Sequence, residues 1–217
     1  MMRWTRPEVM NAVRELSRQM TNPVQDHIKS MHRVMKYCVT YPERGWMLKP
    51  FGFWDGNKEY EFIIGGKADS DFAKCPITRR SVSGFVTYLM GALITAKSVM
   101  QKIVALSVTE AELMAGVQCA QDMLYIMHLL ESIGLKVKKP MILRMDNKGA
   151  VDLANNWSIG GRTRHIETRQ HFLRDLKEEG ILRIVWIPGE INEADLFTKN
   201  LSGPDFEKHT ETVLIDL

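Results

Sequence analysis

The sequence predicts an α/β protein, a mixed sheet with helices on its faces, preceded by a small helical hairpin. Three observations carry this. Apolar residues recur at helical spacing twice within the first fifty positions. Two runs rich in β-formers then flank Met90-Gly91, the arrangement of an antiparallel hairpin. Beyond Thr109, short apolar runs alternate with amphipathic stretches, so later strands are joined through helices.

Each element has a local reason. Thr5 and Glu8 have capping-box spacing around Pro7, and Val9, Val13, Leu16 and Met20 form one helical face. Asn22-Pro23 breaks that helix. Val24, Ile28, Met31, Met35 and Cys38 then line a second. Two short helices bury little alone, so the pair is expected to pack on the adjoining domain or on another part of a larger protein. Tyr60 to Asp69 reads as a strand with a bulge at Gly65-Gly66, followed by strands Ser83 to Leu89 and Ala92 to Lys97. An apolar piece, Ile103 to Leu106, leads into a long helix from Thr109 to Ile133. Its core face carries Leu113, Val117, Ala120, Leu124, Met127 and Leu130, and Gly134 stops it. Met141 to Met145 is a short buried strand. Lys148 to Asn155 and Ile166 to Glu179 are helices, Leu182 to Ile187 is a strand, and Asn192 to Leu201 reads as helical.

Apolar residues make up 45% of the 217, enough for a core. No apolar run approaches the ~20 residues that span a bilayer, and no apolar stretch follows the early arginines as in a signal peptide. An intracellular, cytoplasmic protein with no membrane partner is the expectation. Three cysteines without a CxxC pair speak against a disulfide framework or a zinc site. The net charge of +3 is uneven. Residues 1–50 hold nine Lys or Arg against four Asp or Glu, which leaves the remainder at −2. A basic arm on a near-neutral body points to a polyanion partner, although a solvated helical surface would look the same.

Four acids, Asp69, Glu112, Asp146 and Asp195, fall where strands end or helices begin. Gathered together, they would hold two divalent cations and form a phosphodiester-cleaving centre. Each also has a plain structural reading. Asp69 fits a turn, with Asp71 close by. In Ser107-Val-Thr-Glu-Ala-Glu112, Ser107 with Glu110 and Thr109 with Glu112 are competing capping boxes, and local physics does not separate them. Asp146 could cap a helix, and Asp195 could be a favourable charge near a helix N-terminus.

The segments around these acids are more specific. Ala68-Asp-Ser-Asp-Phe-Ala73, Thr78-Arg-Arg-Ser-Val-Ser-Gly-Phe85, Val104-Ala-Leu-Ser-Val-Thr-Glu-Ala-Glu-Leu-Met-Ala115 and Met145-Asp-Asn-Lys-Gly-Ala150 occur in this order. Arg162-Thr-Arg-His-Ile-Glu-Thr-Arg-Gln-His-Phe172 and Asn192-Glu-Ala-Asp-Leu-Phe-Thr-Lys199 come next. The chain resembles the ribonuclease H domain of copia-type retrotransposon Pol polyproteins, together with the segment just before it, and the resemblance covers nearly the whole chain. Residues 1–50 resemble the thumb-like helical end of that family's reverse transcriptase, and residues 51–217 the ribonuclease H domain. The resemblance implies a ribonuclease H-like five-stranded mixed sheet. It implies that Asp69, Glu112, Asp146 and Asp195 are catalytic, metal-binding acids, with Glu112 chosen over Glu110 and Ser107 as the cap. It also implies two Mg²⁺ (or Mn²⁺) ions and hydrolysis of the RNA strand of RNA–DNA hybrids. The missing polymerase portion of the polyprotein is then a partner.

Arg79, Arg80, Lys97, Lys102, Arg162, Arg164 and Arg169 are the expected phosphate contacts, and the Arg162–Arg174 run, with Arg162, Arg164, Arg169 and Arg174 against Glu167 and Asp175, is the best patch. Asn147 and Ser107 are candidates for orienting the acids, while His165 and His171 have no derivable role. The loop Pro188 to Glu193 lacks the histidine that many ribonucleases H carry there, with Glu190 or Glu193 as candidate replacements. Phe72 stands where the family usually has Trp. No Tyr-x-Asp-Asp motif occurs, so polymerisation is not expected of this chain. An inert fragment that only binds nucleic acid is the alternative reading. Another member of the fold superfamily, such as an integrase or resolvase, is a third.

Overall fold

The computed structural model describes residues 5–46, 48–156 and 164–216. The chain opens with a 3-10 turn, Pro7–Val9, and helices α1 (Met10–Ser17) and α2 (Gln25–Thr40). The expected capping box gives way to an ion pair. The N-cap residue Arg6 makes no side-chain cap bond, and the Glu8 carboxylate instead accepts from Arg6 Nε at 2.6 Å, both groups being buried. Arg6 also donates to the Tyr41 carbonyl at 3.0 Å, which ties the start of the hairpin to its end.

A short strand, β1 (Arg44–Trp46), and β2 (Glu61–Phe62) precede the main sheet. That sheet holds β3 (Ile64–Asp71), β4 (Val82–Leu89), β5 (Ala92–Met100), β7 (Met141–Met145) and β8 (Leu182–Trp186). Its order is β5-β4-β3-β7-β8. β4 runs antiparallel to both of its neighbours, β3 and β5, while β3, β7 and β8 run parallel. The sheet is therefore mixed and five-stranded, with ribonuclease H-like order and directions. The β4–β5 turn has φ of 52° at Met90 and 80° at Gly91. Both central residues are thus left-handed, as the twist of a two-residue hairpin requires.

Helix α3 (Val108–Ser132) crosses one sheet face, and Ser107 caps it by accepting from Glu110 N at 3.1 Å. Leu113, Ala120 and Met127 are buried beneath it, and Val117, Leu124 and Leu130 pack at the margin of the same core. α4 (Lys148–Asn155) and α5 (Arg164–Glu178) cover the parallel half, with Leu173 and Leu176 inward. The side chain of Ile166 lies outside the described residues. On the opposite face Val86, Leu93 and Ala96 pack against Leu196, Phe197, Val213 and Leu214. This second core lies under a 3-10 segment, Glu193–Phe197, and α6 (Gly203–Val213). The last strand, β9 (Leu214–Asp216), pairs antiparallel with β1.

Several expectations need correction. Tyr60 to Asp69 is two strands: β2 pairs in parallel with β6 (Lys136–Val137), apart from the main sheet. Gly65-Gly66 is no bulge, since both residues keep regular register with Tyr88 and Thr87, and the irregularity lies at Thr87/Tyr88 in the β4–β5 ladder. Gly66 is small for another reason. A Cβ there would lie 2.5 Å from Cys119 Sγ and 2.8 Å from Met123 Sδ, because α3 presses directly on the strand. The apolar piece Ile103 to Leu106 leads into α3 as a loop, with Ala105 buried and Ile103, Val104 and Leu106 exposed. Within Asn192 to Leu201 only Glu193–Phe197 is helical, and it is a 3-10 segment rather than an α-helix, with Asp195 N bonded to Asn192 O and Thr198 N to Asp195 O, both at 3.1 Å. α6 comes after it, capped by Ser202, with Pro204 in its first turn.

The helical hairpin packs on the sheet through α1. Arg14 Nε donates to Ser98 Oγ on β5 at 2.9 Å, and Asn11 bonds Asn200 at 3.0 Å. The outer face of α2 has no such cover among the described residues. Val24, Ile28, Met31 and Met35 are exposed, Met35 by 56%, and the last three line a groove shared with Val13, Leu16 and Met20 of the α1 side.

The Gly66 packing makes a clear prediction. Gly66→Ala should cost about 1–3 kcal/mol in urea denaturation, and adding Cys119→Ala should recover part of it. An unchanged midpoint in Gly66→Ala would contradict the helix–strand contact.

Candidate metal centre at the edge of the sheet

β3 runs toward its end at Asp71, and its parallel neighbour β7 ends at Met145 on the same edge. Side chains alternate across a sheet. Asp69 is in register with Gly84, so it shares the face on which the 3-10 segment lies. Ser70 points to the other face, where it meets Glu112 on the second turn of α3. Its backbone N and its Oγ both donate to Glu112 Oε1, at 3.1 and 2.9 Å. Asp146 immediately follows β7. It does not cap α4, because Asn147 does so by accepting from Ala150 N at 2.9 Å.

Asp69, Glu112 and Asp146 each place a carboxylate oxygen within 4.8 Å of the others. Asp69 and Glu112 are buried, Glu112 being 4% exposed. Glu112 Oε2 is enclosed with no hydrogen-bond partner among the described residues. A buried carboxylate oxygen left open beside two other acids fits a cation, and hard oxygen donors suit a divalent metal. Asp71 stands outside this group and pairs with Lys74 at 3.0 Å. Glu110 also stands outside, accepting from Leu106 N at 2.7 Å.

Asp195, on the 3-10 segment, is joined to the cluster through Lys199. The ammonium donates to Asp195 Oδ1 at 2.9 Å and to Asp69 Oδ1 at 3.1 Å. Thr198 Oγ1 donates to the other oxygen of Asp69. Asn192 Nδ2 donates to Ala68 O at 3.0 Å and so fastens the 3-10 segment to β3. Thr198 and Lys199 stand in the Asn192–Lys199 motif, which by itself assigns them no role. The i, i+4 spacing of Asp195 and Lys199 is the clue the sequence offers.

Burial, with the charges of Asp69 and Asp146, pushes the Glu112 carboxyl up to about 9, against the Ser70 hydrogen bonds that favour ionisation. Burial and Asp69 raise Asp146, opposed by Lys199 and Asn192. Burial and Asp69 likewise push Asp195 up to about 7, opposed by Lys199. Burial disfavours the Lys199 ammonium, but Asp69 and Asp195 more than offset it, so its pKa rises.

The other singled-out residues are placed differently. Ser107 and Asn147 both spend their side chains on helix caps. Glu193 accepts from Lys67 and, at 2.5 Å, from Tyr88 OH, so its carboxylate is committed to packing. Lys97 pairs with Asp122 at 2.8 Å beside the Phe85 ring. Arg79 and Arg80 lie in the β3–β4 loop and Lys102 follows β5. All three are exposed and lie at the carboxylate edge of the sheet. Arg169 lies 4.0 Å from Glu110 Oε1. Arg174 is no surface residue. It is buried and donates to the carbonyls of Leu153, at 3.1 Å, and Asn156, which holds the end of α4. Arg162 and the side chains of Arg164 and His165 lie outside the described residues.

The raised carboxyls set the pH dependence of cation uptake. A group whose folded pKa lies above its ordinary value keeps its proton until the pH approaches that value, and a cation must displace it. Mn²⁺ affinity should therefore climb between about pH 7 and 9, with proton release detectable by calorimetry in buffers of different ionisation enthalpy. In the metal-free protein the same shift costs stability as pH rises from the ordinary carboxylate range toward about 9. Glu112→Gln should remove the Glu112 share of that loss, leaving the part due to Asp146 and Asp195, and weaken Mn²⁺ by about tenfold or more. A pH-independent affinity in the unsubstituted protein would contradict the burial of these acids.

No protein-family model matches the chain. It is 31% identical over 209 residues to the retrovirus-related Pol polyprotein from transposon TNT 1-94 of Nicotiana tabacum, covering 96% of this chain and 15% of that one. It is 30% identical over 210 residues to the Pol polyprotein from transposon RE1 of Arabidopsis thaliana, covering 97% and 14%. The chain thus spans about one-seventh of the length of these relatives. Among solved structures, LC11-RNase H1 in complex with an RNA/DNA hybrid gives a TM-score of 0.46 at 20% identity, covering 59% of this chain and 88% of that chain. Aligned along nearly all of its length with these polyproteins, and built on the β5-β4-β3-β7-β8 sheet, the chain belongs to the copia-type retrotransposon Pol family and carries its ribonuclease H-like domain.

Proposed function

We propose that the chain is a metal-dependent endonuclease that hydrolyses the RNA strand of RNA–DNA hybrids. The observation that carries this reading is the meeting of Asp69, Glu112 and Asp146, with an open buried oxygen on Glu112, at the edge of the mixed sheet. Asp195 completes the set through Lys199. We assign all four acids as ligands of two Mg²⁺ or Mn²⁺ ions. Such ions, when bound, would supply an activated water and charge neutralisation at the leaving 3′ oxygen. The protein's own part is positional. Ser70 orients Glu112, Thr198 orients Asp69, and Asn192 keeps the Asp195 segment on the strand.

The substrate would be gripped by its backbone and 2′-hydroxyls rather than its bases. Arg79, Arg80 and Lys102 support this as exposed cations at the same edge. Lys97, Arg162, Arg164 and Arg169 belong to the same proposed set, although Lys97 must give up Asp122 to serve.

Residues 1–50 are assigned as the thumb-like end of a reverse transcriptase and residues 51–217 as the nuclease domain. The uncovered apolar face of α2 supports a protein partner, for which the polymerase portion of the polyprotein is the natural candidate. Among the described residues no helix is long and apolar enough to cross a membrane, and an intracellular setting fits that of a reverse-transcribing element.

Cleavage of a labelled RNA–DNA hybrid with Mg²⁺ or Mn²⁺ tests the reading. Asp69→Asn and Asp146→Asn should each lower the rate by about a hundredfold or more, the scale of losing a preorganised electrostatic group. EDTA should stop the reaction. Equal cleavage by all three proteins would refute the site. Tight, steeply salt-dependent binding without cleavage would favour the nucleic-acid-binding alternative.

A further inference from the structure

Asp69 and Asp195 already hold a cation that belongs to the chain. Lys199 Nζ bridges one oxygen of each, at 3.1 and 2.9 Å, and Thr198 takes the second oxygen of Asp69. The bridge is fixed from the backbone outward. Lys199 N bonds Asp195 O at 3.0 Å, Thr198 N bonds the same carbonyl at 3.1 Å, and Gly84 lets Thr198 and Phe197 lie against the strand. Glu112 Oε2, on the other side of the cluster, has no partner among the described residues. The centre is therefore lopsided, with one end filled by an ammonium and the other open.

Charge counting leads the same way. Four ionised carboxylates and one ammonium carry a formal −3. One divalent cation brings that to −1, while two would give +1 unless the ammonium withdraws. A magnesium ion draws its ligands in to about 2.0–2.1 Å, so an ion on the Lys199-bridged oxygens of Asp69 and Asp195 would be pressed against a like charge unless the ammonium withdrew.

We propose that Lys199 is a built-in counter-cation that holds the Asp69–Asp195 end of the centre closed to divalent metal in the free protein. Uptake is then limited to one ion, at the Asp69–Glu112–Asp146 end, until the ammonium is displaced. Lys199 acts here as a positioning residue that governs occupancy. The inference rests on the metal-centre reading above and deepens it.

The test is Mn²⁺ binding to the full chain without nucleic acid, followed by the electron paramagnetic resonance signal of free Mn²⁺. The unsubstituted protein should bind one ion. Lys199→Met should bind a second at a concentration lower by about tenfold or more, the scale on which groups around a metal tune affinity. Lys199→Arg keeps the positive charge and should retain the one-ion isotherm, which a purely structural role for the side chain would not require. Should Lys199→Met fail to fold by circular dichroism, Lys199→Gln, uncharged but still a hydrogen-bond donor, carries the same expectation. One shared isotherm for the unsubstituted, Met, Gln and Arg proteins overturns the role of Lys199 and leaves the metal centre standing. No Mn²⁺ uptake by any of them overturns both.

Discussion

Repulsion between carboxylates is the constraint around which the rest of this molecule is arranged. Acids that are buried within a few ångströms of one another resist ionisation unless something answers their charge. The fold supplies three answers. Ser70 gives Glu112 two hydrogen bonds from the strand beneath it. Thr198 and Lys199 approach Asp69 from the opposite face. Asn192 fastens the segment that carries them to β3. The sheet works as a partition, with Glu112 reaching its edge from one side and the Asp195 segment from the other. Only a strand such as β3, whose successive side chains point to opposite faces, can meet both.

This arrangement explains why glycine recurs at the close approaches. At Gly84 a Cβ would lie 2.6 Å from Thr198 Cγ2 and 2.8 Å from Ala194 O. Any larger residue there would lift the segment that brings Asp195 and Lys199 to Asp69. Gly189 plays a milder part beside Asp146, where a Cβ would lie 3.1 Å from Oδ2. Packing and site geometry are one problem here, because the atoms that crowd the glycines are neighbours of the atoms that hold the acids.

Much of this is legible in the sequence, for physical reasons. The strands of the main sheet are visible because β-branched and apolar residues cluster between turn formers, and Met90-Gly91 marks the hairpin. α3 is visible from its period and from Gly134. The order of the elements then implies a mixed sheet. Less legible are features set by partners distant in sequence. β1, β6 and β9 are too short to carry a pattern. The 3-10 character of Glu193–Phe197 follows from its seat across Gly84, since its composition alone suits an α-helix. Glu8 has the spacing of a cap, but Arg6 claims it. At the site, the spacing of Ser107 and Glu110 allows the observed cap, yet nothing local separates it from Thr109 with Glu112. Lys199 escapes notice because a lysine four residues after an aspartate usually reads as an ordinary helix-face pair, and its second bond, to Asp69, spans 130 residues.

The contact between Gly66 and α3 has a consequence beyond stability. Cys119 Sγ is buried where the helix meets the strand, one turn from Met123 and two turns from Glu112. A thiol reagent can reach that sulfur only when the helix lifts from the sheet. Its labelling rate is then an internal clock for the separation of α3 from β3, the two elements that bring Glu112 and Asp69 together. Slowing of that clock by a divalent ion would register the ligand through the breathing of the fold itself, with no substrate present.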